Sequence, residues 1–233
     1  MSDFLSLYEE AESYDETQEV TSLLCDQLPQ TADKFTDETV IATGGMKKIS
    51  KVFCNSTHRY VAKATLNEPS KFELRDAFIR EARLTALLDH PNIIKIYQIA
   101  LSDEGEPFFT MELKTGSSLQ DYIQQDRKQN ILLGIYVKIC DAISYAHSRK
   151  ILHLDLKPDN VQVGEYGEVI VCDWGLGKIL TRKDAGEETS AYQVDADMLN
   201  HCTMYGEAKG TPAYMAPEQL EGKNKNEQTD IYA

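Results

Sequence analysis

The segment that most constrains this chain is residues 153–160, H-L-D-L-K-P-D-N, a dense polar run set between two apolar stretches. Before it, Leu132, Ile135, Val137, Ile139, Ile143 and Ala146 recur at helical spacing. After it, Val161, Val163, Val169, Ile170 and Val171 read as a β-hairpin. Pro158 bars regular helix and biases Lys157 toward an extended conformation, so Asp155 and Asn160 are expected on a rigid loop rather than a helical face. Asp155, Lys157 and Asn160 put a carboxylate, a lysine and an amide within six residues, with a second carboxylate, Asp159, among them and Asp173 near in sequence. That set suits proton handling and metal binding.

The chain upstream changes character near Phe35. β-Branched runs around 39–42, 49–53 and 60–64, separated by Gly44-Gly45 and Asn55-Ser56, predict three antiparallel strands. Residues 71–89 carry Phe72, Leu74, Ala77, Phe78, Ala82, Leu84 and Leu87-Leu88 at spacings of three and four, which predicts an amphipathic helix stopped by His90-Pro91. Residues 93–100 and 108–113 read as two further strands. Gly116-Ser117-Ser118 breaks this pattern, Ser118 can cap a helix starting at Leu119, and the chain is helical in period from there to Lys150. The expected fold class is α+β: a small lobe of five strands and one helix over 36–113, then a mainly helical lobe over 114–233.

H-L-D-L-K-P-D-N, followed by an apolar strand, D-W-G and G-T-P-A-Y-M-A-P-E-Q, resembles the protein kinase family, and within it the bacterial eukaryotic-like (Hanks-type) serine/threonine kinases. The resemblance implies a bilobal fold with a hinge near 112–116, and transfer of the ATP γ-phosphate to a serine or threonine of a protein substrate. By the same resemblance Asp155 is the catalytic base, and Lys157 neutralises the transferring phosphate and suits serine/threonine substrates. Asn160 and Asp173 hold Mg²⁺, and Thr211 forms the substrate platform. Lys63 is expected on the α- and β-phosphates, paired with Glu81 of the following helix. Ala42, Gly44, Gly45, Ile49, Ala62, Met111, Glu112 and Leu113 are expected around the nucleotide.

Three features depart from the family pattern. In the phosphate-covering loop, aligned as Ala42 to Ile49, only the middle glycine, Gly44, matches, and Lys47 stands where the third glycine belongs. That lysine reads as a tolerated substitution that stiffens the loop. Leu154 replaces the arginine with which many relatives read an activation-segment phosphate, so that route of activation is unnecessary or different. Trp174 replaces the usual phenylalanine after the metal aspartate as a bulkier apolar anchor. The alternative to an enzyme is a pseudokinase, a binding scaffold, supported by the poor glycine loop; the full set of expected catalytic residues weighs against it. The segment 173–218 carries Thr181, Thr189, Ser190 and Thr203 as potential phosphorylation sites, and the resemblance pairs Glu218 with an arginine beyond Ala233. The chain reads as ending at the start of the long buried helix of the large lobe.

Net charge is −14, which disfavours nucleic acid or anionic membrane as a main partner. Residues 1–40 hold eleven acidic residues and one lysine, net −10, so only about −4 remains for the rest, and residues 1–35 read as a solvated acidic leader. The five cysteines show no C-x-x-C pair or metal-ligand spacing, which points to reduced thiols in a cytoplasmic compartment. Cys140 and Cys172 are expected as small buried hydrophobes. No apolar run reaches membrane-spanning length.

Overall fold

The computed structural model describes residues 34–68, 72–125, 128–180 and 211–233. The acidic leader up to residue 33 and the hydroxyls of Thr181, Thr189, Ser190 and Thr203 lie outside the described residues.

The β-branched runs form β1 (Phe35–Thr43), β2 (Lys47–Cys54) and β3 (Arg59–Leu66), an antiparallel meander. With β4 (Ile96–Leu101) and β5 (Pro107–Met111) they make a five-stranded sheet in the order β1-β2-β3-β5-β4. Helix α1 (Phe72–Ala86) covers one face. Phe78 and Ala82, four residues apart and fully buried, pack on Ala64, Leu66 and Phe109, with the Phe78 and Phe109 rings 4.8 Å apart. Truncating a ring this enclosed costs about 3–5 kcal/mol. On β3 the two-residue period puts Ala62, Ala64 and Leu66 on this inner face. Lys63 faces the other side, opposite Ser50 of β2.

The remaining described residues are more helical. β6 (Ser117–Ser118) leads into α2 (Leu119–Ile123), where Ser118 Oγ accepts a hydrogen bond from Asp121 N at 3.1 Å, the cap its position predicts. Gly116 permits this entry, because its φ is +125° and a Cβ there would come within 2.2 Å of the Val163 carbonyl oxygen. The helical period to Lys150 resolves into α2 and α3 (Gln129–Ser148), followed by β7 (Ile151–Leu152). Ile135, Ala142, Ile143 and Ala146 face the core. Val137 instead is 56% exposed, and Cys140, expected to be buried, is exposed, because both lie off the stripe that packs inward.

The predicted hairpin is β8 (Val161–Val163) with β9 (Val169–Val171), and β10 (Lys178–Ile179) pairs with β7. Helices α4 (Pro217–Leu220) and α5 (Glu227–Tyr232) close the described chain. One core cluster spans the junction of the two halves: Leu84 and Leu88 of the α1 end, Ile93, the α3 residues Ala142, Ile143 and Ala146, and Val171 and Trp174. Backbone bonds reinforce it, with Val171 N donating to Asn92 O at 2.8 Å and Ile94 N to Val171 O at 3.1 Å. The fold class is thus α+β in two lobes, and the loop 153–160 emerges between β7 and β8 at the junction. No helix among the described residues is long and apolar enough to cross a membrane.

Candidate active site

Residues 153–160 are a loop that ends in a single 3₁₀ turn, Pro158–Asn160, with Pro158 at its first position, where a missing N–H costs nothing. Asp230 of α5 holds the start of this loop. Its carboxylate, 5% exposed, accepts from His153 N and Leu154 N at 2.8 Å each and contacts His147 Nε2 at 2.8 Å. These bonds fix Leu154 at φ +65°, a costly conformation for a bulky residue, which persists because its surroundings hold it. Leu154 O accepts from Gln219 Nε2 at 2.9 Å.

Asp155 is gripped from three directions. Lys157 Nζ donates to its Oδ2 at 2.9 Å, Asn160 Nδ2 donates to the same oxygen at 3.0 Å, and Thr211 N approaches Oδ1 at 3.2 Å. Lys157 also donates to Thr211 Oγ1 at 2.8 Å. Beneath them the fully buried His153 accepts from Asp155 N at Nδ1 (3.2 Å) and lies 3.0 Å from Cys172 O at Nε2. That pattern assigns the neutral ring with its proton on Nε2. Burial keeps the ring's pKa below the usual histidine value, against the pull of the Asp230 charge.

Above the loop a cleft of roughly 320 Å³ opens between the sheet and the 153–173 region. Its sheet side carries Ala42, Ile49 and Ala62, its rear edge Met111, Glu112 and Leu113, and its floor Asn160 and Asp173. The cation in its depth is Lys47, the first residue of β2. Its ammonium pairs with Glu81 of α1 and lies 3.3 Å from Asp173 Oδ1. Burial alone would lower the Lys47 pKa, but the Glu81 and Asp173 carboxylates outweigh burial and hold it above the usual lysine value. Asp173, which burial would raise, is held low chiefly by Lys47.

The expected pairing of Lys63 with Glu81 is therefore corrected. Lys63 Nζ sits 3.5 Å from Glu38 of β1 and 5.3 Å from the Phe108 ring centre, outside the cleft. The reason is strand parity: Ala62 and Lys63 are neighbours on an extended strand and cannot face the same side. The residue facing the interior next to Ala62 is Ala64, fully buried. Lys47, expected as a tolerated substitution, instead makes the partly buried ion pair with Glu81.

Beyond Asp173, itself at φ +61°, Trp174 is fully buried and packs on His153 with ring centres 4.6 Å apart. Arg80 of α1, also buried, donates from Nη1 to Gly175 O at 3.1 Å and from Nη2 to Gly177 O. A Cβ on Gly177 would meet Leu84 Cδ2 at 2.8 Å and Leu152 O at 2.9 Å, so only glycine lets the chain pass here. Glu218 accepts from Thr229 Oγ1 at 2.7 Å.

Residues 35–233 match the model of the protein kinase domain. The chain belongs to the protein kinase family. It is 33% identical over 224 residues to serine/threonine-protein kinase PknD of Protochlamydia amoebophila (strain UWE25), covering 88% of this chain and 22% of that protein. It is 36% identical over 214 residues to the PknD of Chlamydia trachomatis serovar D, covering 83% and 23%, and 34% identical over 212 residues to that of Chlamydia felis, covering 83% and 22%. The chain thus spans about a fifth of the length of these relatives.

Of the residues expected at the kinase nucleotide site, the cleft gathers Ala42, Ile49, Ala62, Glu81, Met111, Glu112 and Leu113, with Asn160 and Asp173; Lys63, Gly44 and Gly45 do not line it. Gly44 and Gly45 form the tip of the turn between β1 and β2, closed by Gly44 N donating to Lys47 O at 2.8 Å and braced by Asn67 Nδ2 on Gly44 O at 2.7 Å. Cys172 lines the cleft, and burial pushes its thiol up to about 12, so it stays protonated. Among the described residues no group of three or more His, Cys, Asp or Glu could hold a metal ion. The Asn160–Asp173 pair fits a hard cation that takes few protein oxygens and keeps waters and phosphate oxygens as its other ligands. Asn160 commits its Nδ2 to Asp155 O and Oδ2, which leaves its amide oxygen for that purpose.

Proposed function

We propose that this chain is the catalytic region of an ATP-dependent serine/threonine protein kinase, with residues 36–113 as its nucleotide-binding lobe and 114–233 as part of the lobe that positions the protein substrate. The observation that carries this reading is the cluster in which Lys157, Asn160 and the Thr211 amide all hold one carboxylate, Asp155, at the mouth of a cleft floored by Asp173.

Phosphoryl transfer asks a protein mainly to position groups and neutralise charge. Asp155, oriented by three donors, accepts the hydrogen bond of the substrate hydroxyl and takes its proton as the oxygen attacks the γ-phosphorus. Lys157, already bridging Asp155 and Thr211, offers its remaining donor capacity to the transferring phosphate. Thr211 ties the platform on which the acceptor segment lies to the base that acts on it. Asn160 and Asp173 would hold Mg²⁺, which would supply positive charge to offset that of the phosphates.

The acceptor is a serine or threonine of a protein, and the net charge of −14 favours neither nucleic acid nor anionic lipid as partner. Unpaired Cys54, Cys140 and Cys172 support a cytoplasmic setting for these residues. The test is transfer of labelled γ-phosphate from ATP to a generic protein such as casein by the full-length protein, beside Asp155→Ala and Asp173→Ala. Incorporation by wild type with loss in both variants is expected; equal background incorporation in all three contradicts enzymatic activity and leaves a scaffold.

A further inference from the structure

We infer that Lys47, rather than any residue of β3, is the lysine that anchors the nucleotide's phosphates, so that the turn covering the phosphates also carries the cation that binds them. This deepens the kinase reading and rests on it.

Three independent features of the fold point there. First, Lys47 faces the cleft and its ammonium stands between Glu81 and Asp173, the helix carboxylate and the carboxylate expected to hold the metal. A cation there is oriented by one carboxylate and lies beside the other, on the wall of the cleft that would receive the nucleotide. Second, β3 cannot supply that cation. Its inward residues, Ala62 and Ala64, end in methyl groups, and Lys63 points to the other face, against Glu38. The β2–β3 register pairs Ile49 with Ala64 and Ser50 with Lys63; exchanging the faces would need a one-residue slip along the whole strand. Third, the other lysine of the cleft, Lys114, pairs with Glu112 at 2.8 Å on the edge carrying Leu113.

Lys47 also belongs to the β1–β2 turn through the bond from Gly44 N to its own carbonyl, with Asn67 bracing the tip. The Gly44-Gly45 tip and Lys47 are therefore held together as one turn, of which the Lys47 ammonium is the part that enters the cleft. The third glycine's replacement gives the loop a charge where the family pattern has only flexibility. The two carboxylates keep that charge in place despite burial.

The test uses the full-length protein with Lys47→Met and Lys63→Met, each checked by thermal melting, and reads both phosphate transfer and displacement of a fluorescent ATP analogue. Lys47→Met should slow transfer about a hundredfold or more, the scale of losing one preorganised charge contact, and Lys63→Met should stay within about threefold. A Lys63→Met loss as large as that of Lys47→Met, or a Lys47→Met change under about threefold, overturns the assignment. If wild type transfers no phosphate, the kinase reading fails on its own, and the displacement assay still decides which lysine binds ATP. A second measurement needs no variant: an acyl phosphate of ATP is incubated with wild type. The neutral amine nearest the phosphates attacks the acyl carbon, forming an amide and releasing ATP as the C–O bond breaks and the ammonium proton passes to solvent. Peptide mapping should find the acyl group on Lys47, blocked by excess ATP; ATP-protected labelling of Lys63 instead of Lys47 overturns the proposal.

Discussion

The two sides of the cleft keep their chemistry in different ways. On the large-lobe side, Asp155, Lys157 and Asn160 lie within six residues of one loop, and their mutual hydrogen bonds follow from their spacing along the chain. On the sheet side, what is required is a positive charge at one point in space, opposite Glu81 and Asp173. Any inward position on adjacent strands that reaches this point will serve, and here β2 supplies it. A loop-borne proton-transfer group is tied to its sequence context, whereas a charge in a sheet-walled pocket is tied only to geometry and can migrate between strands.

The largest expected effect lies on the loop side. Asp155→Ala removes the proposed proton acceptor and should cut the turnover number about a thousandfold, within the usual range for general acid–base groups, while ATP affinity changes less than about threefold. Steady-state kinetics and nucleotide displacement measure both; a large loss of ATP affinity would mean that the two sides of the cleft are not separable.

Next comes the loop's support. Asp230→Ala leaves the His153 and Leu154 amides without their buried acceptor, which costs about 2–4 kcal/mol of local stability. Hydrogen exchange at these two amides should speed up about thirtyfold or more, with little change in β1–β3. Unchanged exchange would mean that Leu154 keeps its positive φ without Asp230.

Gly177→Ala tests the link between the halves, since the added methyl meets both the Leu84 side chain and the Leu152 carbonyl. A loss of about 1–3 kcal/mol in denaturant unfolding is expected, in the range of overpacked sites. A neutral result would show that the Arg80-held segment has room to shift.

The smallest effect is a pH dependence. His153 is kept neutral when folded, with its pKa below the unfolded value, so the unfolded state binds more protons as pH falls through about 6.5. Stability is therefore lost on acidification from that point until the folded ring's own pKa is reached. The melting temperature should fall between pH 7 and 5.5, and fall less in His153→Gln; equal slopes in both would place the titrating group elsewhere.

The sequence made most of this structure legible where function and chain order coincide. The strands, α1, the Ser118 cap, the β8–β9 hairpin and the 153–160 loop all follow from periodicity and turn chemistry. Strand parity was also visible: Ala62 and Lys63 cannot both reach the nucleotide, and the alternation Tyr60-Val61-Ala62-Lys63-Ala64 puts Ala64 inward. The resemblance pairs Lys63 with Glu81, whereas the structure turns Lys63 to the opposite face, against Glu38. What the sequence could not show was which cation fills the vacated point, because that depends on the β2–β3 register and on how the β1–β2 turn closes. The exposure of Cys140 and Val137 was hidden for a similar reason: an apolar run does not say which of its residues fall on the packed stripe.

Whether position in space rather than strand of origin makes the phosphate lysine is decided by moving the charge. In the full-length protein, Lys47→Gly removes the cation and restores a glycine to the turn, and adding Ala64→Lys places an ammonium on the inward face of β3. Lys47→Gly alone should lose phosphate transfer about a hundredfold or more, and the folded double variant should regain at least about tenfold of it. A folded Lys47→Gly protein that transfers phosphate like wild type, with Ala64→Lys adding nothing, would contradict the Lys47 assignment.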